Sequence, residues 1–268
     1  MKKIFFLMTC IFFIISCKQE GLSPKFKEKP AKLPQLFQGR VGGTYVPYWG
    51  YMELTAVQVS PDANPRPQCG YGGYVLSNDL PQARLDGGTM QIGNIEMQPD
   101  ANNRNRYGTT CYSTKNGPAA RPLFGQTITY TLAGNSVEGI PAFTTSFYVP
   151  KLFEASFYVN DVLSQMSNFK QNSTMKIAWN PDSNNELGVL FYLSIEGEKG
   201  VGFRFEYEVL PDNGLYNVNY TKYLADIPVG TYFEIGIARG NGKILTNNQR
   251  EFLLGATSIC MDHFVMAE

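Results

Sequence analysis

Histidine is almost missing from this chain: His263 is the only one among 268 residues. Serine and cysteine nucleophiles usually need such a base, and no Gly-x-Ser-x-Gly elbow occurs either. His263 and Cys260 are three apart, so on a strand they point to opposite faces, which separates them as a dyad or a metal pair. An excess of either charge is also missing, since 23 Lys and Arg balance 23 Asp and Glu. Without a basic surplus nothing draws a phosphate backbone, and nucleic acid is not expected as a partner. Long apolar runs are missing except for residues 4–15. That run is shorter than the roughly 20 residues a membrane-spanning helix needs.

What is present begins with that run. Met1, Lys2 and Lys3 precede it, and Ser16-Cys17 end it before Lys18-Gln19-Glu20. A charged start and a short apolar stretch describe a secretory signal. The segment Ile14-Ile15-Ser16-Cys17 resembles the lipobox of bacterial lipoproteins. The resemblance implies cleavage before Cys17 and acylation of its thiol and new amino group. Each buried methylene contributes about 0.8 kcal/mol, and stable anchoring takes two or more chains. The expected address is the cell envelope, as an outer-membrane lipoprotein facing the periplasm or the surface. Lys18-Gln19-Glu20 partly resembles the surface-export tags of Bacteroidota-type lipoproteins, and the whole layout is similar to lipoproteins of that class.

Of five cysteines, Cys10 leaves with the signal and Cys17 carries lipid. Cys69, Cys111 and Cys260 remain, and an oxidising compartment permits one bridge. Cys69–Cys111 is the expected pair, with three buried thiols as the alternative. Residues 17–38, with Lys25, Lys27, Lys29 and Lys32 among prolines, read as an extended stalk. Aromatics at 13% and 26 glycines argue against disorder.

Beyond the stalk the pattern is strand and turn. Met175, Ile177 and Trp179 alternate with Thr174, Lys176 and Ala178. Phe203, Phe205, Tyr207 and Val209 alternate with Arg204, Glu206 and Glu208, which predicts a strand with one wet face. Val189 to Ile195 and Phe233 to Ile237 repeat the pattern. Pro-Asp turns such as "NPDSNN" and "LPDNG" separate these runs. The same device accounts for the echo of "PDANPR" in "PDANNR". Residues 160–169, "NDVLSQMSNF", admit a short helix with Val162, Met166 and Phe169 on one side. The expected fold is all-β, with two antiparallel sandwiches at 39–165 and 166–268. Trp179 and "LADIPVGTYFEIGIARGNG", with Tyr232 near a corner-tyrosine position, resemble an immunoglobulin-like or fibronectin III-like module.

Asp182, Asn184 and Glu186 before Gly188 suggest calcium ligation. The sixth and twelfth loop positions are Leu187 and Leu193, however, and a strand-connecting turn is the better reading. A carboxylate pair for glycoside chemistry cannot be nominated without geometry. Aromatics are the most informative class. Tyr45, Tyr48, Trp49 and Tyr51, with Tyr71 and Tyr74, offer faces that could hold a sugar ring or a protein, or else pack in the core. The sequence therefore predicts a lipid-anchored, non-catalytic binding protein for a glycan or protein partner, without cofactor or metal. The alternative is an assembly subunit pairing through β edges, and the third reading is a hydrolase.

Overall fold

A computed structural model describes residues 26–37, 50–59, 66–73, 88–99, 111–113, 117–137, 139–164, 168–195, 204–247 and 250–268. In chain order the strands of the first half are β1 (Lys27–Pro30), β2 (Gly50–Val59), β3 (Arg66–Gly73), β4 (Met90–Ile92), β5 (Ile95–Pro99), β6 (Cys111–Ser113), β7 (Gln126–Leu132) and β8 (Phe143–Val149). Those of the second are β9 (Ala155–Val159), β10 (Val162–Leu163), β11 (Asn168–Lys170), β12 (Met175–Trp179), β13 (Val189–Ile195), β14 (Arg204–Leu210), β15 (Leu215–Val218), β16 (Tyr232–Asn247) and β17 (Arg250–Ala267). Among the described residues the short α-helices are α1 (Leu33–Phe37), α2 (Gly117–Ala120) and α3 (Tyr220–Tyr223), with a 3-10 turn at Arg121–Leu123. The fold is all-β.

The hairpin of β16 and β17 is the backbone of the molecule. Its ladder runs unbroken from Tyr232 opposite Val265 to Asn247 opposite Arg250. At one end it belongs to a sandwich. A small sheet, in order β10-β9-β12-β15, packs on β14-β13-β16-β17. Phe157, Ile177, Phe191, Ile235, Ile237, Cys260 and Phe264 fill the space between, all nearly inaccessible to water. Without the short β10 and β11, the strands from β9 on run in chain order first-second-fifth in one sheet and fourth-third-sixth-seventh in the other.

At the other end the large sheet continues through β2, β3, β6, β5, β4, β7 and β8. It curls back on itself. Asn241 Nδ2 donates to the Tyr148 carbonyl at 2.9 Å and Lys243 Nζ to Thr145 Oγ1 at 3.0 Å, bringing the last strand, β8, onto β16. Met52, Leu54, Ile92, Tyr130, Leu132, Phe147, Phe252 and Leu254 fill the curl, and Tyr130 donates across it to the Gly255 carbonyl at 3.1 Å.

Several expectations change. Two pairings are parallel, β2 with β17 and β11 with β17, so the large sheet is mixed. The boundary expected at 165/166 is crossed by the ladder of β9 with β12 and by that of β2 with β17. Residues 27–37, read as part of a stalk, fold into the body. β1 pairs with β16, and Leu33, Leu36 and Phe37 of α1 are buried. Leu36 fits a dent made by glycines, and a Cβ on Gly242 would meet its Cδ2 at 2.8 Å. The short helix admitted at 160–169 is not formed by the described residues of that span, 160–164 and 168–169. Asn160 and Asp161 take φ of 51° and 62°, the left-handed pair of a tight hairpin turn. β10 then folds back on β9, and β11 joins β17. Short-range spacing at Val162, Met166 and Phe169 lost to the turn chemistry of Asn-Asp.

Candidate functional site: a half-covered aromatic sheet face

Each strand of the β14-β13-β16-β17 layer has two faces. The inner face of β16 carries Phe233, Ile235 and Ile237, then Arg239, Asn241, Lys243 and Leu245. Arg239 is the largest fully buried side chain among the described residues. Its Nη2 donates to the Asn180 carbonyl and its guanidinium lies 4.4 Å from the Phe153 ring centroid. Asp212 is 3.6 Å away and Asp182 4.0 Å, both nearly inaccessible. Burial lowers the Arg239 pKa, and the two carboxylates oppose that.

Those aspartates come from the turns read in the sequence. Asp182 accepts from Tyr148 Oη at 2.9 Å, from Lys151 N at 2.8 Å and from Asn184 N at 3.1 Å. Burial would raise its pKa, but the two backbone donors, Tyr148 and Arg239 outweigh it, and the carboxyl stays below its ordinary range. Asp212 accepts from Trp179 Nε1 at 2.8 Å and from Asn185 Nδ2 at 2.9 Å. The carboxylate suggested for calcium is thus turned inward to a guanidinium. Among the described residues no group of three or more His, Cys, Asp or Glu could hold a metal ion.

Cys260 lies on this inner face, its thiol 3.6 Å from the Ala155 carbonyl, and burial pushes its pKa up to about 12. His263 lies on the opposite face, as three-residue spacing on a strand dictates. Its Nδ1 is 3.6 Å from Glu234 Oε2 and its ring stacks on Tyr232 at 5.5 Å and 21°.

The outer face is where structure and sequence part. On β14 the charged residues face the sandwich. Glu208 accepts from Tyr223 Oη, from Lys222 Nζ at 2.9 Å and from Tyr216 Oη at 3.4 Å. The Tyr223 hydroxyl, then Lys222, hold its carboxyl below the ordinary range. Arg204 pairs with Glu206 and Asp226, each at 2.7 Å. The apolar stripe faces out instead. Tyr207 is 54% exposed and Val209 48%. The wet face of β14 is therefore its hydrophobic one, reversing the expectation. The reason is topological: β15 and α3 supply polar partners on one side, while α1 covers the other side only further along β16.

A ladder of rings crosses this face. Tyr192 of β13 packs against Phe205 at 5.9 Å, and Phe205 against Tyr207 at 6.1 Å. Tyr192 lies flat over Gly236, where any Cβ would overlap its ring, and donates to Glu234 Oε1 at 2.9 Å. Glu234 thus joins the ladder to His263 and to Tyr232, which is 42% exposed. Half-buried Met261 and Val57 continue the face across β17 and β2. Tyr207, Val209, Tyr232 and Val265 are the large apolar side chains that this face presents to solvent.

Of the sequence-predicted site residues, Tyr51 lies near this face, half-buried against the α1 cluster. Tyr71 is in β3, opposite Met52 and Tyr112. Cys69 is opposite Leu54, and Cys111 is opposite Gly72, three positions along β3 from Cys69. The side chains of Tyr71, Cys69 and Cys111 lie outside what the structure describes, as do Cys17, Tyr45, Tyr48, Trp49 and Tyr74 altogether. Sequence reasoning missed Tyr207, Tyr192, Phe205 and Tyr232 as site residues. The available signal was "FRFEYEV", whose aromatics were assigned to the dry side. No protein-family model matches the chain, and no curated protein matches it.

Proposed function

We propose that this is a lipid-anchored envelope protein that binds a glycan or a protein partner without catalysing a reaction. The single observation carrying the binding role is the outward-facing ring ladder of Tyr192, Phe205 and Tyr207, joined through Glu234 to the Tyr232–His263 stack. Aromatic side chains give a large contact area for few rotors, and their hydroxyls and Glu234 add directional hydrogen bonds. The anchor rests on the lipobox resemblance at Cys17. Support for a fibronectin III-like binding module comes from the strand order of the C-terminal sandwich and from Trp179 in its second strand. Envelope localisation, in the outer membrane, follows from the same anchor.

The test is affinity electrophoresis of the folded chain through gels containing soluble polysaccharides, paired with cross-linking on intact cells. Retardation that Tyr207→Ala and Tyr232→Ala abolish assigns a glycan. A discrete cross-linked partner lost in the same variants assigns a protein. Retention or cross-linking indifferent to both substitutions removes the face from consideration. The assembly reading has one observation in its favour: edge strand β10 leaves Val162 69% and Leu163 50% exposed, and edges of this kind recruit further strands.

A further inference from the structure

The register of the long hairpin shows which end of the body a tether at Cys17 would hold. β1 runs beside the hairpin tip, with Lys27 opposite Thr246 and Pro30 opposite Lys243. The chain before Phe26 therefore departs from this tip. Nine positions separate Cys17 from Phe26, a reach of ~30 Å when fully extended. The other end of the hairpin, at Tyr232 and Val265, is fifteen ladder positions away, or ~50 Å along the strands. A tether of that length cannot bring the far end to the bilayer while the tip points away.

The tip itself is suited to a lipid surface. Among the described residues there, the cations are Lys27, Lys29, Lys243 and Arg250, and the carboxylates are Glu28 and Glu251. Both carboxylates are taken up in ion pairs, Lys29 with Glu251 and Lys243 with Glu28, each at 2.7 Å. Among these described residues the balance is positive. Arg250 Nη1 donates to the Gly139 carbonyl at 3.1 Å, which fastens the β7–β8 loop beside the tip. That loop projects Val137, 94% exposed. Between loop and tip lies a groove of mixed character, lined by Asn135, Ser136, Asn247 and Arg250 together with Ile140 and Pro141.

We propose that the hairpin tip is a second membrane contact, docking on an anionic headgroup layer. Lys27 and Arg250 meet the lipid phosphates, Val137 reaches the interface, and the body stands with its ring-bearing end outward. The orientation rests on the anchor reading, while the lipid contact stands or falls on its own.

The experiment uses the mature chain with Cys17→Ser, so that no acyl chain contributes. It is co-sedimented with vesicles of phosphatidylcholine alone or mixed with phosphatidylglycerol. The anionic vesicles should pellet it, the neutral ones should not, and added salt should release it. Lys27→Gln and Arg250→Gln should each weaken binding about fivefold, the worth of one basic residue at such a surface. Lys170→Gln, at the far end, should leave it unchanged. Equal binding to both vesicle types, binding to neither, or equal weakening by Lys170→Gln overturns the proposal. Lys27 makes no described contact that its loss would unfold, so its variant stands as the check on Arg250→Gln. Intact mass of the membrane-extracted wild type reads the acyl chains separately, so failure of the anchor and failure of the lipid contact are distinguishable.

Discussion

The two faces of the β14-β13-β16-β17 layer are built from the same strands and have opposite fates. The inner face is closed by a second sheet, and it seals even a guanidinium, Arg239, away from water between Asp182 and Asp212. The outer face carries equally large side chains, yet α1 covers only part of it, and Tyr207, Val209 and Tyr232 remain in solvent. The contrast teaches that burial in this protein follows which loops and helices arrive, not how hydrophobic a stripe is. A face that spends aromatics on water without folding benefit is the one to examine for a partner.

The comparison predicts unequal responses to mutation. The largest effect is expected at Arg239. Replacing it with Met leaves two buried carboxylates without their cation, and loss of about 3–5 kcal/mol is expected, as for other broken buried pairs. Urea denaturation measures it, and a loss under 1 kcal/mol would mean that water reaches the node.

Next is the pH dependence of the same node. The Asp182 pKa is lower folded than unfolded. Its contribution is therefore fully present above the unfolded value, about 4, and is lost as pH falls through the lower folded value. Asp182→Asn should flatten the acid limb of the stability–pH curve. An unchanged acid limb would assign acid sensitivity to other carboxylates.

On the outer face, Gly236→Ala places a methyl in the Tyr192 ring and should cost about 1–3 kcal/mol, as overpacking does. Tyr192→Ala in the same chain should recover part of that loss, which a thermal melt of the double variant checks. The smallest effect on stability is expected at Tyr207. Tyr207→Ala should change it by at most about 0.5 kcal/mol, as at other exposed positions, while removing ligand retention. A large loss of stability with retention intact would make the outer ring ladder a packing feature.

Much of the fold was legible. Period-two alternation located β12, β13, β14 and β16 because strand faces alternate residue by residue. The Pro-Asp turns before β13 and β15 were legible for the same local reason, though not their second use in binding Arg239. The Asn-Asp turn at 160–161 was written in the sequence beside an apparent helical spacing, and the turn prevailed. The parallel docking of β2 on β17 had no local signal, since its partners lie some 200 positions apart. Among site residues, the aromatics of "FRFEYEV" were visible, and only their side was misassigned.

By itself the sequence determined that the chain is all-β, that β14 has an apolar and a charged side, and that His263 and Cys260 point apart. These follow from backbone geometry between neighbours. Which side of β14 meets water, that Arg239 is buried with aspartates from two turns, and that the N-terminal strand lies at the hairpin tip were decided only in three dimensions. Solvent exposure depends on what distant segments cover a surface, and a local alternation carries no record of them.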